Sequence, residues 1–317
     1  MFISIGIILI GLVLLYYGAE GLVKGSSSLA LRLKITPLAI GLTVVAYGTS
    51  MPEMVVSVKT ALSHQGAISI GNVVGSNIFN IAVILGISSM ICPLRIKYQI
   101  VRYDAPIMIL TALLFLFFFR NFEISRFEGA TFFSLVVLYT IANFYFSKKD
   151  YKKERGEHEA KESDYPKYKN IYIEVLFILG GLALLIFGSN CLINGSVKIA
   201  KIFGLSEAFI GLTIIAAGTS LPELATSVVA SFRNEPDIAV GNIVGSNIFN
   251  ILSILGVASL ISPINGAGIS MVDVFVMIAA SIILLPLLYT GFKLNRWEGA
   301  FLLLIYGIYF SYLFNKG

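Results

Sequence analysis

The chain has 317 residues, 57% of them hydrophobic and 13% charged, with a net charge of +5, a pI near 9.0 and a mean hydropathy of +0.86. Soluble domains carry about a quarter charged residues, so an ordinary soluble protein is excluded. Basic residues scattered between apolar segments argue against nucleic acid as a partner, and two cysteines (Cys92, Cys191) with two loop histidines (His64, His158) argue against a disulfide framework or a thiolate or imidazole metal cage.

In chain order, the first apolar run, "MFISIGIILIGLVLLYYGAEG", has no basic residue before Glu20. A secretory signal opens with positive charge, so this run reads as a retained first span over 3–22. Apolar stretches long enough for a bilayer core of ~30 Å predict further spans at 36–61, 69–92, 104–119 and 127–147. Residues 147–170 are polar, and Asp150, Glu154, Glu157, Glu159, Glu162 and Asp164 nearly balance the basic residues there. A flexible, solvated linker is expected. Five more spans follow at 171–192, 206–231, 238–261, 271–290 and 296–314. The expected fold is an all-α polytopic membrane protein of ten transmembrane helices.

The two sets of five spans are copies. An offset of 170 relates Glu53 to Glu223, Asn80 to Asn250, Pro93 to Pro263 and Phe127 to Trp297. "GLTVVAYGTSMPE" lies over "GLTIIAAGTSLPE", and "GNVVGSNIFNI" over "GNIVGSNIFNI". Residues 1–147 form one five-helix repeat, 171–317 the second, and 148–170 the linker. An odd number of spans per repeat inverts the second copy in the membrane. With the N- and C-termini outside and the linker cytoplasmic, inner segments hold 17 Lys and Arg and outer segments five, as the positive-inside rule requires. Inverted repeats are a building plan of secondary transporters, with the substrate site at the repeat interface.

The motifs suggest the chemistry. A carboxylate inside a span costs at least ~2.5 kcal/mol by insertion scales, so Glu53 and Glu223 should face a cavity or partner. Pro52 and Pro222 break the helical ladder before them and are expected to free carbonyls around Ala46–Thr49 and Ala216–Thr219. Asn72, Ser76 and Asn80 share one helix face, as do Asn242, Ser246 and Asn250. An oxygen-only set of this kind suits Ca²⁺ or Na⁺ rather than zinc or copper. Two carboxylates neutralise one Ca²⁺ or two Na⁺, a competition that antiport can use.

Plainer readings stand beside these. Small-xxx-small glycines such as Gly71 and Gly75 are common packing devices. Asn77 and Asn247 read as supports for broken backbone, and Thr43 and Thr213 as back-bonding within their helices. Glu20, Asp104, Lys59 and Asp273 lie near expected span ends and read as snorkelling to the interface.

Paired G-T-S-x-P-E motifs, each followed by G-N-x-V-G-S-N-I-F-N, resemble the two alpha repeats of sodium/calcium exchangers, within the cation/calcium antiporter superfamily. The resemblance covers essentially the whole chain. It implies that Glu53 and Glu223 are shared between Ca²⁺ and Na⁺ and that Thr49 and Thr219 complete the Ca²⁺ site through backbone oxygens. It further implies that Ala46 and Ala216 with Ser76 and Ser246 hold peripheral Na⁺, that Asn80 and Asn250 line the centre, and that Ser50 and Ser220 support the bends. Transport would be electrogenic, with spans 3–22 and 171–192 sliding against a fixed core. Potassium-dependent relatives carry Asp at one of the places of Asn80 and Asn250, so this chain leans towards potassium independence. Its short linker has no room for a calcium-sensing domain.

The expected function is therefore Na⁺/Ca²⁺ antiport in the cell membrane, with Ca²⁺, Na⁺ and the bilayer as partners, no cofactor and no obligate protein partner. K⁺-dependent exchange and H⁺/Ca²⁺ exchange are the alternatives in the same class. A passive cation channel is the alternative in another, although channel filters are usually rings of subunits. No Ser-His, Cys-His or H-E-x-x-H arrangement points to an enzyme.

Overall fold

A bilayer leaves a backbone no water to bond with, so each apolar stretch must close its own hydrogen bonds. The computed structural model, which describes residues 2–157, 170–203 and 216–316, is accordingly almost entirely helical. Its helices are α1 (Phe2–Leu33), α2 (Pro37–Thr49), α3 (Met51–Leu62), α4 (Gly66–Ile91), α5 (Ile100–Asn121), α6 (Arg126–Glu157), α7 (Ile171–Ile202), α8 (Ala216–Thr219), α9 (Leu221–Phe232), α10 (Pro236–Ile261), α11 (Met271–Phe292) and α12 (Arg296–Lys316). Among the described residues, eight are long and apolar enough to cross a membrane, and α2 with α3, bent by 47°, make a ninth. Of the expected span 206–231, residues 206–215 lie outside the described residues, and α8 and α9 are the remainder.

Several elements outrun their expected ends. α1 and α7 are each 32 residues, about 48 Å at 1.5 Å per residue, and continue past the expected ends at 22 and 192. Hydropathy falls where the bilayer core ends, but nothing in the sequence there stops a helix. α6 also continues into the segment expected to be a flexible linker, as far as Glu157. Its Lys, Glu and Arg residues are strong helix formers.

α1 and α7 pack antiparallel along a seam that repeats every seven residues: Ser4 opposite Gly195, Gly11 opposite Gly188, Gly18 opposite Gly181, and Gly25 opposite Glu174. A Cβ on Gly18 would lie 2.8 Å from the Gly181 carbonyl oxygen, and one on Gly188 would lie 2.9 Å from that of Gly11. Only glycine allows this approach. Charge fastens one end of the pair: buried Glu174 accepts from Arg32 Nε at 2.6 Å and Ser28 Oγ at 2.7 Å.

α4 and α10 form the centre, 72% and 89% buried over their most apolar stretches, whereas α12 is only 11% buried. Outward-facing Leu176, Phe187 and Ile308 are exposed, as lipid-facing side chains must be. Two small antiparallel clasps join the halves. β1 (Leu94–Arg95) pairs with β4 (Lys293–Leu294), and β2 (Glu123–Ile124) with β3 (Ile264–Asn265). The 170-residue offset maps one clasp onto the other, so the halves are related by a pseudo-twofold axis.

Two side chains expected to snorkel do not. Glu20 is buried and takes Lys24 Nζ at 2.8 Å and Arg233 Nε at 2.9 Å. Asp104 is buried beneath Tyr139. In both cases a partner distant in sequence replaces water.

The seam makes a direct prediction. Gly181→Ala places a methyl 2.6 Å from the Leu22 amide nitrogen, and overpacking of this kind costs about 1–3 kcal/mol. Its neighbour Gly180 has nothing within 4 Å of an added Cβ, so Gly180→Ala should be neutral or slightly stabilising. Thermal unfolding of both variants in detergent checks the contrast.

Candidate cation-binding site

Pro52 and Pro222 sit just inside the helices that follow the bends, where a missing N–H is tolerated. The chain turns at Ser50 (φ −81°, ψ 6°) and Ser220 (φ −89°, ψ 9°). Glu53 and Glu223 thus enter the first turns of α3 and α9, each 1% exposed. Each carboxylate is held by the serine of the other repeat: Ser50 Oγ donates to Glu223 Oε1 at 2.8 Å, and Ser220 Oγ to Glu53 Oε1 at 3.0 Å. Ser50 and Ser220 therefore position the acids as well as occupying the bends.

The central helices hold these turns. Asn72 Nδ2 donates to the Glu53 carbonyl at 3.3 Å and to Ser57 Oγ at 3.0 Å, and Asn242 Nδ2 does the same to Glu223 and Ser227 at the same distances. Thr49 Oγ1 donates to Asn242 Oδ1 at 3.1 Å. Thr49 closes α2 and Thr219 closes α8, both buried, and Ala216 opens α8. Ser76 Oγ lies 3.3 Å from Ser220 Oγ.

One expectation needs correction. The Ala46 carbonyl is not released by the bend: it accepts from Ser50 N at 3.1 Å, Thr49 Oγ1 at 3.3 Å and Ser246 Oγ at 3.5 Å. The break falls at Ser50, after the last hydrogen bond of α2 has formed. Ala46 and Ser246 are thus brought together, bonded to each other.

At the centre four asparagines cross the twofold. Asn77 Nδ2 donates to the Asn247 carbonyl at 3.2 Å, and Asn247 Nδ2 to that of Asn77 at 3.4 Å. Asn80 Nδ2 then donates to Asn247 Oδ1, and Asn250 Nδ2 to Asn77 Oδ1, both at 3.0 Å. Every amide nitrogen meets a carbonyl oxygen, and this network fixes which way each amide points. Wide π-type turns begin at Asn80 and Asn250, a distortion frequent at functional sites.

Four acceptors are left over. Among the described residues no donor reaches Glu53 Oε2, Glu223 Oε2, Asn80 Oδ1 or Asn250 Oδ1, and all are buried. An unsatisfied buried group costs about 1–3 kcal/mol, more when charged. Two charged and two neutral oxygens without a donor are the kind of oxygens a hard cation takes as ligands. Among the described residues there is no cluster of three or more His, Cys, Asp or Glu, so neutral oxygens must supply the rest of any coordination shell.

Sequence reasoning reads Asn77 and Asn247 as backbone supports, which their bonds to each other's carbonyls match, but misses their hold on Asn250 and Asn80 and the roles of Ser57 and Ser227. The signal available was that all four are polar and recur at the 170-residue offset.

A nearly all-helical bundle of two repeats, with buried acids shared between them, defines a membrane cation transporter rather than an enzyme. The family described as sodium/calcium exchanger protein matches residues 3–145 and again residues 173–315. The chain is 39% identical to CaxA of Alkalimonas amylolytica over 100% of both chains, and 34% identical to the sodium/calcium exchanger MaX1 of Methanosarcina acetivorans over 97% of each. Its fold is similar to that of the sodium-calcium exchanger NCX_Mj, solved after soaking with Na⁺ and Ca²⁺, with a TM-score of 0.81 and 30% identity over 98% of both chains. The chain belongs to the sodium/calcium exchanger family.

The geometry makes a stability prediction. Removing one charge by Glu53→Gln relieves a buried, donor-poor carboxylate, so the variant should melt higher than the native chain in cation-free buffer, by roughly 2–4 °C for each kcal/mol recovered. Ca²⁺ at a hundred times its Kd should stabilise the native chain by about 2.7 kcal/mol and leave the variant nearly unmoved. A variant that melts lower without cation, yet keeps the full Ca²⁺ response, would count against the site.

Proposed function

We propose that the chain exchanges Na⁺ for Ca²⁺ across the cell membrane by alternating access, with a net movement of charge. The observation that carries this reading is the set of four orphaned oxygens, Glu53 Oε2, Glu223 Oε2, Asn80 Oδ1 and Asn250 Oδ1. Their two formal charges balance one Ca²⁺ or two Na⁺. Full occupancy by both would leave excess positive charge in an apolar bundle, so one ion displaces the other. The empty site would keep two carboxylates in a bilayer without counter-ions, which disfavours return without cargo. Exchange coupling follows from that difference.

Asn80 and Asn250 contribute no charge, which supports operation without K⁺. Thr49, Thr219, Ala46, Ala216, Ser76 and Ser246 would add oxygens around the acids, as the family resemblance implies. A third Na⁺ held by neutral oxygens would make the cycle electrogenic. The seam between α1 and α7 fits a pair that shifts as one body against the α4 and α10 core. The distribution of Lys and Arg supports an orientation with both termini outside and residues 148–170 in the cytoplasm, as the link between repeats over 1–147 and 171–317.

The test is uptake of radioactive Ca²⁺ into proteoliposomes loaded with Na⁺ and diluted into Na⁺-free buffer. Uptake should require the outward Na⁺ gradient, ignore K⁺, respond to an imposed membrane potential, and vanish in Glu53→Gln and Glu223→Gln. Uptake driven by a pH gradient without Na⁺ would assign proton exchange. Flux without any gradient coupling would assign a channel.

A further inference from the structure

A second polar site lies away from the twofold axis. A cavity of about 740 Å³ opens where the start of α2, the start of α5 and the end of α6 meet. Its walls are largely apolar, with Ile107, Ala142 and Phe146 among them, but its polar groups converge. Asp104, 2% exposed, accepts from Tyr139 Oη at 3.1 Å and Gln99 Nε2 at 3.3 Å. Among the described residues no Lys or Arg forms an ion pair with it. Asn143, 5% exposed, lines the same cavity, and among the described residues no donor reaches its Oδ1. A wide turn over Ile100–Asp104 ends at the carboxylate, as the turns at Asn80 and Asn250 mark the central site.

The second repeat supplies an internal control. It keeps a tyrosine–carboxylate pair, Tyr309 Oη to Asp273 Oδ1 at 3.1 Å. Where the first repeat has Gln99 and Asn143, however, it has Ile269 and Leu313, and α11 opens at Met271 as a regular helix. The fold therefore does not require these two amides. At the cavity mouth Lys97 is committed to Asp237 at 3.0 Å, while Lys149 and Asp150 place opposite charges side by side.

We propose that this cavity binds the headgroup of an aminophospholipid, its primary ammonium on Asp104 and Asn143 Oδ1 and its phosphate at Lys149. The volume far exceeds that of a bare ion, and the apolar walls suit the glycerol and acyl portion. A primary ammonium has three N–H donors for the converging oxygens. A choline headgroup has none. A mouth of mixed charge accepts a zwitterion and disfavours a purely anionic head.

The full chain in nanodiscs of equal phosphatidylethanolamine and phosphatidylcholine, followed by native mass spectrometry of retained lipid, tests this. The native chain should retain phosphatidylethanolamine over phosphatidylcholine by about tenfold, the worth of one charge-assisted hydrogen bond. Asp104→Asn and Asn143→Leu should bring the ratio near one while Na⁺-dependent Ca²⁺ uptake persists. Ile107→Trp, which fills the cavity from its apolar wall, should reduce retention of both lipids and guards against a folding defect in the polar variants. Equal retention by the native chain, or a preference unchanged in all three variants, overturns the proposal. So does a lipid-independent change in tyrosine fluorescence on adding NaCl or KCl that Asp104→Asn abolishes, which would make the cavity an inorganic cation site.

Discussion

Two carboxylates buried at the centre of an apolar bundle are the constraint on which the rest of this structure depends. Glu53 and Glu223 cannot be tolerated there without compensation, and the surrounding architecture provides it. Each acid keeps one oxygen on a serine of the opposite repeat, and among the described residues the other has no donor. Neither repeat is a complete site. The asparagines follow the same logic, since Asn77 and Asn247 absorb the amide N–H groups of Asn250 and Asn80 and so leave two carbonyl oxygens uncommitted.

Much of this was legible in the sequence because duplication made it redundant. The acids, the proline bends and the polar face of α4 and α10 each occur twice at one offset. A feature that recurs in both halves of a drifting chain is under a shared physical demand. The bilayer requirement for long apolar segments made the helices equally visible.

What stayed hidden depends on contacts between distant residues. Serine hydroxyls at a bend look like local caps, and only the folded chain shows Ser50 on Glu223 and Ser220 on Glu53. Glu20 looked like an interface residue because Arg233, its partner, lies in the other repeat. The helical start of the linker was masked because polarity was read as disorder, although Lys and Glu favour helix strongly. The two-residue strands are too short to carry any alternating pattern, so no sequence signal for them exists.

Those strands have a mechanical consequence. One clasp ties the neck between α4 and α5 to that between α11 and α12, and the other ties the neck between α5 and α6 to that between α10 and α11, through backbone hydrogen bonds. The core is therefore riveted at two places into a single chassis. α1 and α7 contribute no strand to either rivet, and where glycines meet, their mutual surface is smooth backbone. The backbone clasps thus bind the core of the two halves directly, and the Glu20–Arg233 ion pair ties α1 to the end of α9 by charge instead.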